Sequence, residues 1–156
     1  MQNKNRGAAM VEFALVMPAF IMVFYSIVYG AFIMHDINAL NEITRAAARY
    51  AVVETSGVST ADKGTHIKDF VGKKANETLY VYTLSKGTDV EVKEVTLDVG
   101  NDDSGQNVTE KGICITVSAK RKNSLPSMFL DLLPKDANGN RWLSTITSEL
   151  TMRKES

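Results

Sequence analysis

From Phe13 to Met34 the chain runs through 22 residues without a charge. About 20 apolar residues cross the hydrocarbon core of a bilayer as one helix, so this run predicts a membrane span. Pro18 lies inside it; the ring removes one helix hydrogen bond and crowds the carbonyl of Ala14, and a kink or local loosening is expected there. The helical pattern continues beyond the run, because Asp36 to Glu54 contains no Gly or Pro and is rich in alanine. Ile37, Leu40, Ala47, Ala48 and Ala51 fall on one side, while Asn38, Glu42, Arg45 and Arg49 step along the other. The apolar side packs either on the protein's own sheet, which is the favoured reading, or on a neighbouring chain. Ser56-Gly57-Val58-Ser59 then ends the helix.

Thr60 to Leu84 reads as a second helix, with Ile67, Phe70, Val71, Ala75, Thr78, Leu79 and Tyr82 at helical spacing. Leu79-Tyr80-Val81-Tyr82-Thr83 reads equally well as a strand. From Asp89 the period changes to two. Val90 and Val92 share a face, then Val95, Leu97 and Val99 share one, and the slip at Lys93-Glu94 predicts a β-bulge or bend. A turn follows at Asn101-Asp102-Asp103-Ser104-Gly105. Ile113, Ile115, Val117 and Ala119 alternate with Cys114, Thr116 and Ser118, which puts Cys114 on the more polar face. Leu125 to Leu133 predicts a short amphipathic or 3₁₀ segment. Trp142, Ser144, Ile146, Ser148, Leu150 and Met152 form the last alternation. The class is α+β: a long N-terminal helix, a second helix and a small, mainly antiparallel three-stranded sheet.

Composition narrows the function. Beyond the apolar run there is room for one small domain. Lysine plus arginine and aspartate plus glutamate are 18 each, so there is no basic excess to draw the chain to nucleic acid. The single cysteine excludes an internal disulfide and multi-thiolate zinc sites. A cleavable secretory signal has an apolar core of about 7–15 residues and a small-x-small exit; this run is longer, and Phe32-Ile33-Met34-His35-Asp36 has no such exit. Lys4 and Arg6 flank the front, and the next basic residue is Arg45, so the N-terminus is expected in the cytoplasm and the remainder exported.

Candidate chemistry is sparse. No Ser or Cys has a plausible His–acid pair, no glycine-rich phosphate loop is present, and no metal-ligand spacing occurs, so neither enzyme nor cofactor is expected. His66 reads as a surface residue and His35 as a boundary residue. Asp136-Ala137-Asn138-Gly139-Asn140 opens like a calcium loop, but Arg141 and Thr147 stand where Gly and Glu are required, and a turn is expected. What remains is Glu12, just inside the front edge of the apolar helix. A carboxylate at mid-membrane costs about 2.5–3.5 kcal/mol, which makes an acid in such a helix a functional candidate. Either it snorkels to the headgroups of a plain signal anchor, or it meets a cation supplied by another chain.

Gly7, followed by small Ala8 and Ala9 and then by Glu12-Phe13 at the mouth of an apolar helix, resembles the processing site of type IV prepilins. RGAAMVEFALVMPAF, with NALNEITRAAARYAV behind the membrane run, resembles the TadE-like family of minor pilins (pseudopilins) of the tight-adherence, or Flp, pilus system. The likeness covers about the first third of the chain. The family commonly carries a Gly where Ala47 stands, and alanine there raises helix propensity.

The resemblance implies a pilin-like architecture in which residues 1–7 are a cytoplasmic leader. Residues 8–56 are then the long helix, spanning the membrane over 8–34 and forming a stalk over 35–56, and residues 57–156 are an exported α+β head. It implies cleavage after Gly7 by a prepilin peptidase and a new α-amine on Ala8. Glu12 would pair with the amine of a neighbouring subunit. Implied partners are that peptidase, other major and minor pilin subunits, the inner-membrane assembly platform and membrane lipid, in the service of surface adherence. The competing readings are an unprocessed membrane-anchored periplasmic scaffold or binding protein, and a type II secretion pseudopilin. The residues do not separate TadE from its sister TadF.

Overall fold

The computed structural model describes residues 3–53, 60–84, 89–101, 107–122 and 143–153, with Lys135, Ala137, Gly139 and Arg141. Expectations for residues 56–59, for the turn at 102–105, for the segment at 125–133 and for Trp142 lie outside these. The chain forms two units, Met1–Met34 and His35–Ser156.

Helix α1 (Asn3–Val53) makes up the first unit and begins the second. It starts at Asn3, ahead of the expected Ala8, because a single Gly7 costs a helix only about 1 kcal/mol relative to alanine and does not end it. Pro18 also lies within the helix without terminating it. In the first unit Met10, Val11, Phe13, Leu15, Val16, Phe20 and Phe24 are all exposed. Such a concentration of exposed apolar side chains is not a water-facing surface. By length and composition this helix suits a single-pass membrane anchor.

The second unit adds α2 (Thr60–Thr78) and strands β1 (Tyr82–Thr83), β2 (Val90–Asn101), β3 (Asn107–Arg121) and β4 (Thr145–Arg153). All pairings are antiparallel, and β3 is central. At Lys120, β3 pairs with Thr83 on one edge and Thr145 on the other; at Val117 it pairs with Val90 and Ser148. β1 and β2 therefore follow one another along the same edge. The sheet has four strands in three lateral positions, which corrects the expected three. Its cause is local: α2 stops at Thr78, and Tyr82–Thr83, whose apolar spacing also fits a helix, pair with β3 instead.

One sheet face carries Val90, Ile113, Ile115, Val117, Ala119, Ile146 and Ser148, all buried. The Ser148 hydroxyl donates to Asn41 Oδ1 at 2.8 Å, tying this face to α1. From α1 come Leu40, Ile43, Thr44, Ala47, Ala48 and Ala51, and from α2 Ile67, Val71 and Ala75. The expected apolar stripe thus packs within the chain, although Ile37 is only half-buried, and Asn38, Glu42, Arg45 and Arg49 are exposed as expected. Buried Thr44 satisfies its hydroxyl on the Leu40 carbonyl at 2.8 Å. Tyr50 of α1 stacks on Phe70 of α2, with ring centroids 5.1 Å apart.

The expected bulge at Lys93-Glu94 is corrected. Register is unbroken there and shifts between Asp98 and Gly100, where Gly100 has φ 106° and its N–H is accepted by Asp98 Oδ1 at 3.2 Å. Val90 and Val92 face the helices, whereas Val95 and Leu97 lie on the opposite face. Leu97 turns outward because Gly112 leaves room for it: a Cβ on Gly112 would lie 2.6 Å from Leu97 Cδ1.

Candidate functional site

Gly7, Ala8, Glu12 and Phe13 all lie on α1, and all are exposed. Ala8 and Glu12 are four residues apart, so they share a helix face about 6 Å apart along the axis. A Cβ on Gly7 would meet nothing within 4 Å, so the fold itself makes no use of the missing side chain. Glu12 stands among exposed Val11, Phe13, Leu15 and Val16. Among the described side chains no cation pairs with it.

A second carboxylate on the same helix is placed quite differently. Asp36 is the second residue after the apolar run, and its side chain is 0% exposed. Its Oδ2 accepts the backbone N–H groups of Val81 at 2.7 Å and Tyr82 at 3.0 Å, and Oδ1 accepts that of Tyr80 at 3.0 Å. Three successive amides converging on one carboxylate form an anion nest, here filled by the protein's own side chain. The carbonyls of this segment are gathered from the other side. Lys122 Nζ donates to the Leu79 carbonyl at 3.0 Å and the Tyr80 carbonyl at 3.3 Å, and the Lys122 N–H donates to the Val81 carbonyl at 2.8 Å. The irregular link between α2 and β1 is thus clamped by an acid from α1 and a base from the end of β3.

Around this clamp, His35 Nδ1 lies 3.3 Å from Asp36 Oδ1, and the imidazole packs on the Tyr80 ring at 5.1 Å. His35 is thereby a boundary residue, as expected, with a specific neighbour. Tyr82, fully buried, donates its hydroxyl to the Leu143 carbonyl at 2.8 Å. Leu143 has φ 54°, a backbone conformation that side chains with a Cβ rarely adopt. Asp36 was missed as a structural centre by sequence reasoning. Its only signal is an acid inside a helix, two residues past an apolar run.

Other candidates resolve simply. His66 is exposed, as expected. Cys114 is buried among polar neighbours: Lys93 and Thr151 stand directly across, and its thiol donates to Glu149 Oε1 at 3.2 Å. Gly139, with φ 77°, fits a turn in the segment that opens like a calcium loop, while Asp136, Asn138 and Asn140 lie outside the described residues. Among the described residues no group of three or more His, Cys, Asp or Glu side chains comes together. On the outer sheet face the Lys93 ammonium bridges to Glu91 at 2.6 Å, holding the Glu91 carboxyl below its usual range and the Lys93 ammonium above its own.

The model of the TadE-like protein family matches residues 7–49. The resemblance read from the residues is thereby borne out for this segment. The TadE-like segment opens at Gly7, includes Glu12, Phe13 and Pro18, passes through Asp36 and ends among the buried alanines of α1. Both stretches that carry the resemblance fall substantially within it. No curated protein and no solved structure matches the chain.

Proposed function

We propose that the protein is a minor pilin of the tight-adherence pilus system. It would be made as a precursor, cut after Gly7 by a prepilin peptidase, and used in building a pilus that supports surface adherence. The observation that carries this reading is the TadE-like match, which begins at the Gly of the Gly7…Glu12-Phe13 motif and lies on a helix whose apolar side chains are exposed. In this reading residues 1–7 stay in the cytoplasm, residues 8–34 cross the inner membrane, and the α+β head is exported. Cleavage gives Ala8 a cationic α-amine. Glu12 of one subunit then pairs with the amine of a neighbour in an apolar environment, where an unpaired carboxylate is strongly disfavoured. That pairing sets axial register between subunits. Other pilin subunits and the inner-membrane assembly platform are the partners this chemistry calls for.

The direct test is the intact mass and N-terminal sequence of the protein recovered from its native membranes. A chain beginning at Ala8 supports the proposal. One beginning at Met1, in cells that make the peptidase, overturns it in favour of an unprocessed membrane-tethered scaffold. Glu12→Ala should leave membrane insertion intact and abolish incorporation into pili; normal piliation would remove the pairing role.

A further inference from the structure

We propose that the corner of the head formed by His35, Tyr80 and Lys122 docks on the phospholipid headgroup layer. The argument starts from chain continuity. The apolar run ends at Met34, and Tyr80 is held beside the next two residues of the chain, by Asp36 on its N–H at 3.0 Å and by His35 against its ring. Tyr80 is 63% exposed although its ring packs on His35, itself half-exposed. A large amphipathic ring held at that level matches the tyrosines that line membrane–water interfaces. Beside it the basic run Lys120-Arg121-Lys122 closes β3 and leads out of it. Lys120 leans 3.6 Å from Asp89, but Lys122 is turned to the Leu79 and Tyr80 carbonyls. An ammonium has three donors, so the Lys122 group has one beyond those two bonds for a phosphate oxygen. Its positive charge adds attraction to anionic lipid. Asp36, the acid beside His35, is buried and covered by three amides, so it presents no exposed charge against this attraction.

This inference rests on the membrane-anchor reading of α1 and not on processing or pilus assembly. The test uses the full chain in vesicles of phosphatidylethanolamine and phosphatidylglycerol, with Trp142, the only tryptophan, changed to Phe. Tyr80→Trp is compared with Val95→Trp, an exposed site on the same sheet edge whose β3 partner is Gly112, far along the strand from Lys122. A nitroxide on the lipid headgroup should quench the Tyr80→Trp protein about two-fold or more above the Val95→Trp protein, and added phosphatidylglycerol should raise the difference. Equal quenching overturns the proposal. Shielding of the Tyr80→Trp site from aqueous iodide without lipid quenching also overturns it, and points to a second copy covering the corner. Phe20→Trp, read with an acyl-chain nitroxide, separates the two levels. If it is not quenched, the anchor reading fails and the docking falls with it.

Discussion

Replacing Asp36 with Ala should be among the most damaging single changes in the head. The carboxylate accepts three backbone amides at 3.0, 2.7 and 3.0 Å from a fully buried position. Leaving a buried donor without an acceptor costs about 1–3 kcal/mol. Tyr80 is exposed and its amide can turn to water, whereas Val81 and Tyr82 are buried, so two donors carry most of the loss. The expected destabilisation is about 3–5 kcal/mol, a large part of the roughly 5–15 kcal/mol that holds a typical domain folded. Asp36→Asn sharpens the test. Its one carbonyl oxygen can replace Oδ2 and keep the Val81 and Tyr82 bonds, while its NH₂ faces the Tyr80 amide, so it should cost well under half as much. The assay is guanidinium unfolding of the full chain in detergent, followed by tryptophan fluorescence, with the slope checked for constancy. An Asp36→Ala midpoint equal to the parent's would refute the clamp. Equal losses for Ala and Asn would show that charge, and not the number of amides held, is what matters.

Gly112→Ala should cost about 1–3 kcal/mol, because the new Cβ meets Leu97 Cδ1 at 2.6 Å and the Met152 carbonyl at 3.0 Å; adding Leu97→Ala should recover part of it, read as non-additivity in unfolding midpoints. Ala47→Leu puts three more carbons at a site that is 0% exposed, and should destabilise by a similar amount of about 1–3 kcal/mol in the same assay. Glu91→Gln should lower stability slightly at neutral pH. The Lys93 ammonium depresses the Glu91 carboxyl, so its contribution is present above the unfolded value of about 4.3 and lost as pH falls through the folded one. The raised Lys93 value bounds the window above, since that contribution is lost as pH rises through it. The difference between parent and variant should therefore close in acid and shrink in salt; a difference constant from acid to neutral pH would refute the pairing.

What could be read from the residues was whatever burial writes as a period. The apolar run, the Leu40–Ala51 stripe and the alternation of Ile113 to Ala119 and of Ile146 to Met152 all repeat often enough to be seen. Two-residue β1 is too short to show any period, so Leu79 to Thr83 read equally well as the end of a helix or as a strand. At Val95 and Leu97 the pattern changed phase for a reason a period cannot express: the apolar residues cross to the other face because Gly112, on the neighbouring strand, leaves space there. Asp36 was illegible for a further reason. Its partners lie 44 to 46 residues downstream and are backbone amides, which leave no mark in the side-chain sequence. The Gly7…Glu12-Phe13 spacing was visible because it is a local pattern of residue types, and the TadE-like match opens at its glycine.

Two carboxylates of α1, Glu12 and Asp36, make a useful contrast. Asp36 has its demands met inside the chain, by amides that the fold delivers to it, and its loss should appear as instability. Glu12 sits on the same helix among exposed apolar side chains, and no described residue supplies a cation to it. Nor does the fold of this chain give a reason for Gly7 to lack a side chain, since a Cβ there would touch nothing. Two features at the front of one helix, each unexplained by the chain's own packing, are at the spacing that a cleavage at Gly7 would turn into an amine and a carboxylate one helical turn apart. A residue that serves folding should fail in a stability assay, and one that serves assembly should fail only when other subunits are present. Asp36→Ala and Glu12→Ala, measured side by side in both assays, should therefore separate completely.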